Sequence, residues 1–423
     1  MTNFRCITLM KKASLVIILM TLTLPLLGAC GKPAEVRTIT IGYLQGSMPL
    51  SPLPDDVIIE EAFDDLIKYY NDNNLIPGVR LEPIPYWGME APQRNISCYE
   101  QLKESGVDVI FTSSADIAQF LSPVVNEDKM VLFTTETIDE DKLQPPGYVF
   151  CIGSTPRQEA YTLLKWVAEN DTDFPSGRLA KLGAAVCDDS YGRSFLAGLE
   201  EYAAVHPDQY EWVTGYLDDG HKCNWSTEVG ALKDCDYVVP TYHHCTQQCG
   251  YAGFAAEYRE SAYTAKFIGT DKHLSDIKYS WSPEEWNVWN GTLLIRSSQW
   301  WNEESDIVDL TKTLLAENHP LAEGNYTKDL YLYSYEYLSV AKVYVMLEII
   351  KDAVASSGPE GFNSDALYEA ARSFSLSIDG VERYSFNGTK RTAVNYVGVY
   401  EVKADEKDIF RVDPDWYPVV SEP

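Results

Sequence analysis

Thr38-Ile39-Thr40-Ile41-Gly42-Tyr43 is a short β-branched run, the signature of a buried strand. Behind it, residues 57–71 carry apolar side chains at Ile58, Ala62, Leu66 and Tyr69, close to a helical period. The same strand-then-helix alternation continues with strands predicted at 79–83, 107–112 and 130–135 and a helix over 98–103. A crossing segment begins at 148–152. Then the alternation restarts: helices over 160–169, 193–203, 227–232 and 253–261 interleave with strands at 181–187, 210–216, 237–241 and 265–269. Two successive blocks of βα units predict an α/β chain with two doubly wound parallel-sheet lobes. In such sheets ligands bind outside the carboxyl ends of the strands, so two facing lobes would bring these loops together across a cleft. Residues 302–423 are less regular, with a Tyr-rich helix predicted over 330–353, another over 366–373 and a terminal strand at 393–402.

The chain has 423 residues, more than one hydrophobic core usually organises. Its 45% hydrophobic and 12% aromatic content is that of an ordinary globular protein. A net charge of −29 repels phosphates, which argues against nucleic-acid partners. The sequence has no nucleophile elbow, no His-Glu-x-x-His helix and no phosphate-cradling Gly-rich loop followed by Lys. The reading is therefore a non-enzyme with no cofactor.

At the start of the chain Arg5, Lys11 and Lys12 precede the apolar run 13–27, which is short for a membrane span. Leu27-Gly28-Ala29-Cys30-Gly31 follows. This arrangement resembles the lipobox of bacterial lipoproteins. The resemblance implies a signal peptide over 1–29, acylation of Cys30, a tether over 30–37 and an extracytoplasmic, membrane-anchored protein. Acyl chains hold a protein on a bilayer at roughly 0.8 kcal/mol per buried methylene.

Further segments carry a second resemblance: Ile39-Thr40-Ile41-Gly42, Val107-Asp108-Val109-Ile110 leading to Ser113-Ser114-Ala115, and Tyr148-Val149-Phe150. Asp189-Ser190-Tyr191-Gly192 and Phe267-Ile268-Gly269-Thr270-Asp271 complete the set. Their order and spacing resemble the type I periplasmic binding proteins, specifically the branched-chain amino-acid (Leu/Ile/Val) receptor family of ABC importers. The resemblance implies three crossings near Phe150, Arg296 and Phe386. The first lobe would then comprise 38–150 and 297–386, and the second 151–296 and 387–423. It also implies a small-molecule ligand delivered to an ABC permease, with the lobes closing around it by hinge motion. A sensor feeding a membrane kinase or chemoreceptor is the alternative role.

A zwitterionic amino acid needs neutral donors for its carboxylate and acceptors, including an acid, for its ammonium. Carried over from the family, the carboxylate positions are Ser113, Ser114 and Ala115, then Thr135, Glu136 and Thr137. Tyr191 and Tyr242 match the family's aromatics, and Asp271 its ammonium-pairing acid. The chain departs from the family in the Pro- and Gly-containing loop 45–56, at Trp87 and at Glu136. The ligand class is accordingly wider: amides, polyamines, peptides and aromatic compounds fit as well as branched-chain amino acids.

His243-His244-Cys245-Thr246-Gln247-Gln248-Cys249 is not family-like. With Cys187, His221 and Cys223 it falls at carboxyl edges of second-lobe strands. A disulfide from Cys223 to Cys245 or Cys249 suits an exported protein. A zinc or copper site using His243, His244, Cys245 and Cys249 is the rival.

Overall fold

The computed structural model describes residues 36–45, 55–87, 92–135, 138–218, 222, 224–241, 253–274, 282–319 and 336–423. The lipobox, Glu136, Thr137, Tyr242 and the His243–Cys249 run lie outside these residues, as do His221 and Cys223.

In the first lobe, strands β1 (Arg37–Gln45), β2 (Val79–Trp87), β3 (Val109–Thr112), β4 (Leu132–Thr134) and β5 (Val149–Cys151) alternate with helices α1 (Asp55–Asp72), α2 (Pro92–Glu104) and α3 (Ala115–Asp128). The sheet is wholly parallel in the order β2-β1-β3-β4-β5. Strands β3, β4 and β5 are buried throughout and read as apolar runs, whereas β2 alternates buried and exposed residues from Val79 to Glu82. Ile39, Ile41, Tyr43 and Phe111 face α1, where the Phe63 and Phe111 rings stack at 4.8 Å. Leu44, Ile110 and Leu132 face α2 and α3. Gly42 also faces α2: a Cβ there would lie 2.9 Å from Leu102, so glycine lets that helix approach. Pro83 and Pro85 stand on β2, the edge strand, where a missing N–H is tolerated.

The second lobe repeats this plan. Strands β6 (Ala180–Cys187), β7 (Tyr210–Asp218), β8 (Tyr237–Val239), β9 (Lys266–Thr270) and β10 (Leu293–Arg296) follow the order β7-β6-β8-β9-β10. Helices α4 (Pro156–Asn170), α5 (Ser190–Val205), α6 (Ser226–Ala231), α7 (Gly253–Glu260) and α8 (Pro283–Trp289) connect them. Each lobe thus has a switch point, β1/β3 and β6/β8, where an α/β sheet opens a crevice beyond its strand ends.

The rest of the chain departs from the expected all-parallel picture. Helices α9 (Asp306–Asn318) and Val340–Ser357 return to the first lobe against α1. The Val340–Ser357 helix is preceded by a 3-10 turn, Tyr337–Ser339, and outlasts the predicted end at 353 by four residues. Helix Ser364–Ala371 and the hairpin β11 (Ser375–Ile378) and β12 (Val381–Ser385) follow. Then β13 (Tyr396–Lys403) pairs antiparallel with β10, and β14 (Asp408–Arg411) and β15 (Tyr417–Pro418) pair antiparallel with β13. The second sheet is therefore mixed. β13 returns along β10 because the chain reaches it from the first lobe, with no crossover helix to reverse it.

The chain passes between the sheets three times: after β5, after β10 and before β13. The first and third passages are joined by backbone hydrogen bonds, Cys151 N–H to Arg391 O and Ala393 N–H to Cys151 O, both 2.8 Å. Each passage sits against a buried arginine lying over an aromatic ring. Arg391 lies 4.7 Å from Phe150, Arg296 lies 4.7 Å from Trp300, and Arg383 lies over Trp416. Arg383 and Tyr384 both donate to Ser297 O, tying the second passage to β12. Among the described residues, no helix is long and apolar enough to cross a membrane.

Candidate functional site

Between the lobes, at the carboxyl ends of both sheets, lies a partly open cavity of about 20 Å³. The first lobe contributes Ile59 from α1, Thr135 after β4, and Glu336, Leu338, Ser339 and Lys342 around the start of the Val340–Ser357 helix. Asp271 after β9, Arg296 at the end of β10, and Ser298 complete the wall. Its wall combines two carboxylates, two cations, three hydroxyls and two aliphatic side chains.

The charged groups hold one another in place. Arg296, 1% exposed, pairs through Nη1 with Asp271 Oδ1 at 2.7 Å and donates from Nε to Ser298 O at 3.3 Å. Its guanidinium carbon lies over the rings of Trp300 (4.7 Å) and Tyr400 (5.7 Å). Lys342 Nζ donates to Thr135 O at 3.0 Å. Behind Asp271, buried His273 accepts from Thr270 N–H through Nδ1 at 3.0 Å and faces Pro240 O through Nε2 at 3.0 Å. Burial pushes its pKa down to about 4, so the ring is neutral with its proton on Nε2.

The site residues read from the sequence divide into four groups. Thr135 and Asp271 are on the cavity wall. Asp271, expected to meet a ligand ammonium, is ion-paired with Arg296. Ser113, Ser114 and Ala115 form the entrance to α3. Ser114 is its N-cap, accepting from Ile117 N–H at 3.4 Å, and Ser113 Oγ is 3.3 Å from Tyr43 Oη. Tyr191 is buried in the second lobe, donating to Glu159 Oε2 at 2.7 Å and 2.7 Å from Thr270 Oγ1. Glu136, Thr137 and Tyr242 are outside the described residues.

At the mouth, Ser190 Oγ donates to Asp116 Oδ1 at 3.0 Å, linking the first residue of α5 to the first turn of α3. Lys272 Nζ lies 5.5 Å from the Tyr191 ring. Asp189 caps α5 by accepting from Gly192 N–H at 2.6 Å. A Cβ on Gly192 would lie 2.0 Å from the backbone oxygen of Cys187, which no side-chain movement relieves. Gly192→Ala is expected to cost about 2–3 kcal/mol, since the helix start must shift, and to move Tyr191 with it. Urea denaturation checks the stability and near-ultraviolet circular dichroism the tyrosine; an unchanged midpoint would contradict the close approach.

Arg296, Ser298, Glu336 and Lys342 carry no sequence motif, and sequence reading missed them as site residues. One signal was present: Arg296 closes the apolar run Leu293-Leu294-Ile295, and a cation at such a strand end needs a partner. Cys187 is disulfide-bonded; the staple expected from Cys223 to Cys245 or Cys249 falls outside the described residues. Cys98, Cys151 and Cys235 are buried thiols. Among the described residues no group of three His, Cys, Asp or Glu side chains is placed to hold a metal; the histidine-cysteine run lies outside them.

Residues 54–207 match the model of a family described as periplasmic binding protein. No curated protein matches the chain by sequence. Among solved structures, the chain is similar to a branched-chain amino-acid ABC transporter protein from Thermus thermophilus with bound valine. That match has a TM-score of 0.71 at 14% identity, covering 91% of this chain and 97% of that one. A solute-binding protein from Rhodopseudomonas palustris BisB5 in complex with 3,4-dihydroxybenzoic acid gives 0.69 at 14%, covering 91% and 99%. A fatty acid ABC transporter substrate-binding protein from Thermomonospora curvata gives 0.68 at 15%, covering 90% and 95%. At these identities the likeness is one of fold. The matched family is one of solute binders rather than enzymes. The chain has the fold of a type I periplasmic binding protein, and its segment 54–207 is similar to the periplasmic binding protein family.

Proposed function

We propose that this chain is an extracytoplasmic lipoprotein, anchored through Cys30, that binds a small amino-acid-like or polar solute and delivers it to an ABC permease. The observation that carries the reading is the cavity itself, which both lobes line at their strand ends with carboxylates and cations together. A zwitterion loses its hydration in such a space only if both ends find charge-assisted partners. Among the described residues Lys342 makes no ion pair; its ammonium donates to a carbonyl and has further donors for a solute carboxylate. Glu336 supplies acceptor oxygens on the same side. Ile59 and Leu338 supply the apolar part of the wall. The fold relatives that hold valine and 3,4-dihydroxybenzoate support a carboxylate-bearing solute. The Leu27-Gly28-Ala29-Cys30 run supports the anchor.

Thermal denaturation of the mature protein with L-valine, other amino acids, 3,4-dihydroxybenzoate and a fatty acid tests the reading. A solute at 100 times its dissociation constant adds about 2.7 kcal/mol. The expected result is a raised midpoint with at least one carboxylate-bearing solute and a dissociation constant at least tenfold weaker in Lys342→Met. No shift with any small solute would overturn it.

A further inference from the structure

Ser190 and Asp116 belong to different lobes, yet Ser190 Oγ donates to Asp116 Oδ1 at 3.0 Å. Asp116 stands in the first turn of α3, the helix that follows β3. Ser190 is the first residue of α5, the helix that follows β6. Each of these strands flanks the switch point of its own sheet, so the bond spans the crevice that the two sheets open toward one another. It lies outside the three chain passages, which persist as covalent links however the lobes move.

Each partner is fixed to its own lobe. On the first-lobe side Ser114 caps α3 through Ile117 N–H, and its own N–H donates to Thr112 Oγ1 at 3.1 Å. Thr112 Oγ1 donates in turn to Leu44 O at 2.7 Å, which ties the helix start to β1. On the second-lobe side Asp189 accepts from Gly192 N–H at 2.6 Å, and Tyr191, next to Ser190, is buried. Serine and aspartate side chains are short, so with both helix starts anchored their rotation cannot follow a lobe that swings away. The local charges also favour contact. The Asp188 carboxylate is held by Arg193 at 2.6 Å and that of Asp189 by the Gly192 N–H, so neighbouring acids on the α5 side are already engaged. The Asp116 carboxylate sits at the positive end of α3, and Ser190 brings it to the start of α5 as well. A hydroxyl that donates to a carboxylate makes a charge-assisted bond.

We propose that Asp116 and Ser190 form a latch at the mouth of the cleft, which holds the lobes closed and opens when they part. The latch thereby sets how long a solute is retained. This rests on the cleft read above as the solute site, but its test uses solute-free protein, so the two can fail separately. The bond is exposed to water, which competes for both partners. Its removal is therefore expected to lower the closed-to-open ratio by about fivefold, the worth of one ordinary hydrogen bond.

Small-angle scattering of the solute-free mature protein reads the latch directly. The radius of gyration is expected to be larger in Asp116→Ala and in Ser190→Ala than in the wild type. The double variant should show no further increase, because both substitutions remove the same bond. Ser190→Thr keeps the hydroxyl and is expected to return the radius to the wild-type value. Asp116→Ala also takes a first-turn charge from α3, so urea denaturation is measured alongside. A loss of stability with an unchanged radius would mean that Asp116 serves only its own helix, and would overturn the proposal. So would an unchanged radius in Ser190→Ala, additive increases in the double variant, or a Ser190→Thr radius equal to that of Ser190→Ala.

Discussion

Arg296→Ala is expected to destabilise the protein by about 3 kcal/mol and to abolish solute binding. Breaking a buried ion pair from one side costs about 3–5 kcal/mol, because the remaining charge has lost its counter-ion but not its desolvation. Asp271 is 22% exposed, so water recovers part of that loss and the lower end applies. The guanidinium also lies over the rings of Trp300 and Tyr400 and caps Ser298 O, so the truncation leaves a void and a backbone oxygen short of a donor. Arg296→Lys restores the charge but not the guanidinium's contact with both rings, and is expected to recover less than half of the stability. Urea denaturation of Arg296→Ala, Asp271→Ala and the double variant separates these contributions. A coupling of about 2 kcal/mol or more is expected, and additive losses would show that packing, not the ion pair, is what Arg296 provides.

Arg391→Ala should weaken the hinge by a similar amount, mainly through lost hydrogen bonds. No carboxylate balances this buried guanidinium among its described contacts. Nε donates to Gly147 O at 2.8 Å, Nη1 to Asn387 O at 2.7 Å and Nη2 to Tyr368 Oη at 2.9 Å. Hydrogen bonds to a charged group contribute about 1.5–3 kcal/mol each. Burial opposes the charge, pulling the pKa below its usual value, and removing the charge recovers that cost. The net expectation is about 3 kcal/mol. Arg391→Met, which keeps contact with Phe150 and Tyr368, should recover the packing portion. Hydrogen exchange gives the local readout: the amides of Cys151 and Ala393, which bond across the first and third passages, should lose protection before the strands of either sheet. Equal protection in variant and wild type would mean that the passages do not depend on Arg391.

Much of the fold was legible because it is periodic. The β-branched run at Thr38–Tyr43 and the apolar spacing from Ile58 to Tyr69 became β1 and α1, and the two βα blocks became the two sheets. What escaped lacks periodicity over a useful length. Four-residue β10, β11 and β14 and the two-residue β15 are set by partners distant in sequence. Glu159 was missed by one residue, since the helix was read from 160. Pro156 at its start, Thr155 as N-cap and Gln158 closing the capping box were the unused signals. The cavity was less legible than the fold. Thr135 and Asp271 were found through a family pattern, whereas Arg296, Glu336 and Lys342 are single charges among 97 and become a site only when three distant segments meet.

The antiparallel pairing of β13 against β10 also bears on how the molecule is made. Neither lobe is a continuous piece of chain: the first waits for the helices between 306 and 371, and the second for strands that begin at 396. A polypeptide emerging from its amino end therefore presents β10 as an unprotected sheet edge until nearly the last residues arrive. Loss of the final 28 residues by premature termination would leave a chain with both lobes begun and the second lacking its edge, with β10 open to pairing with a neighbour.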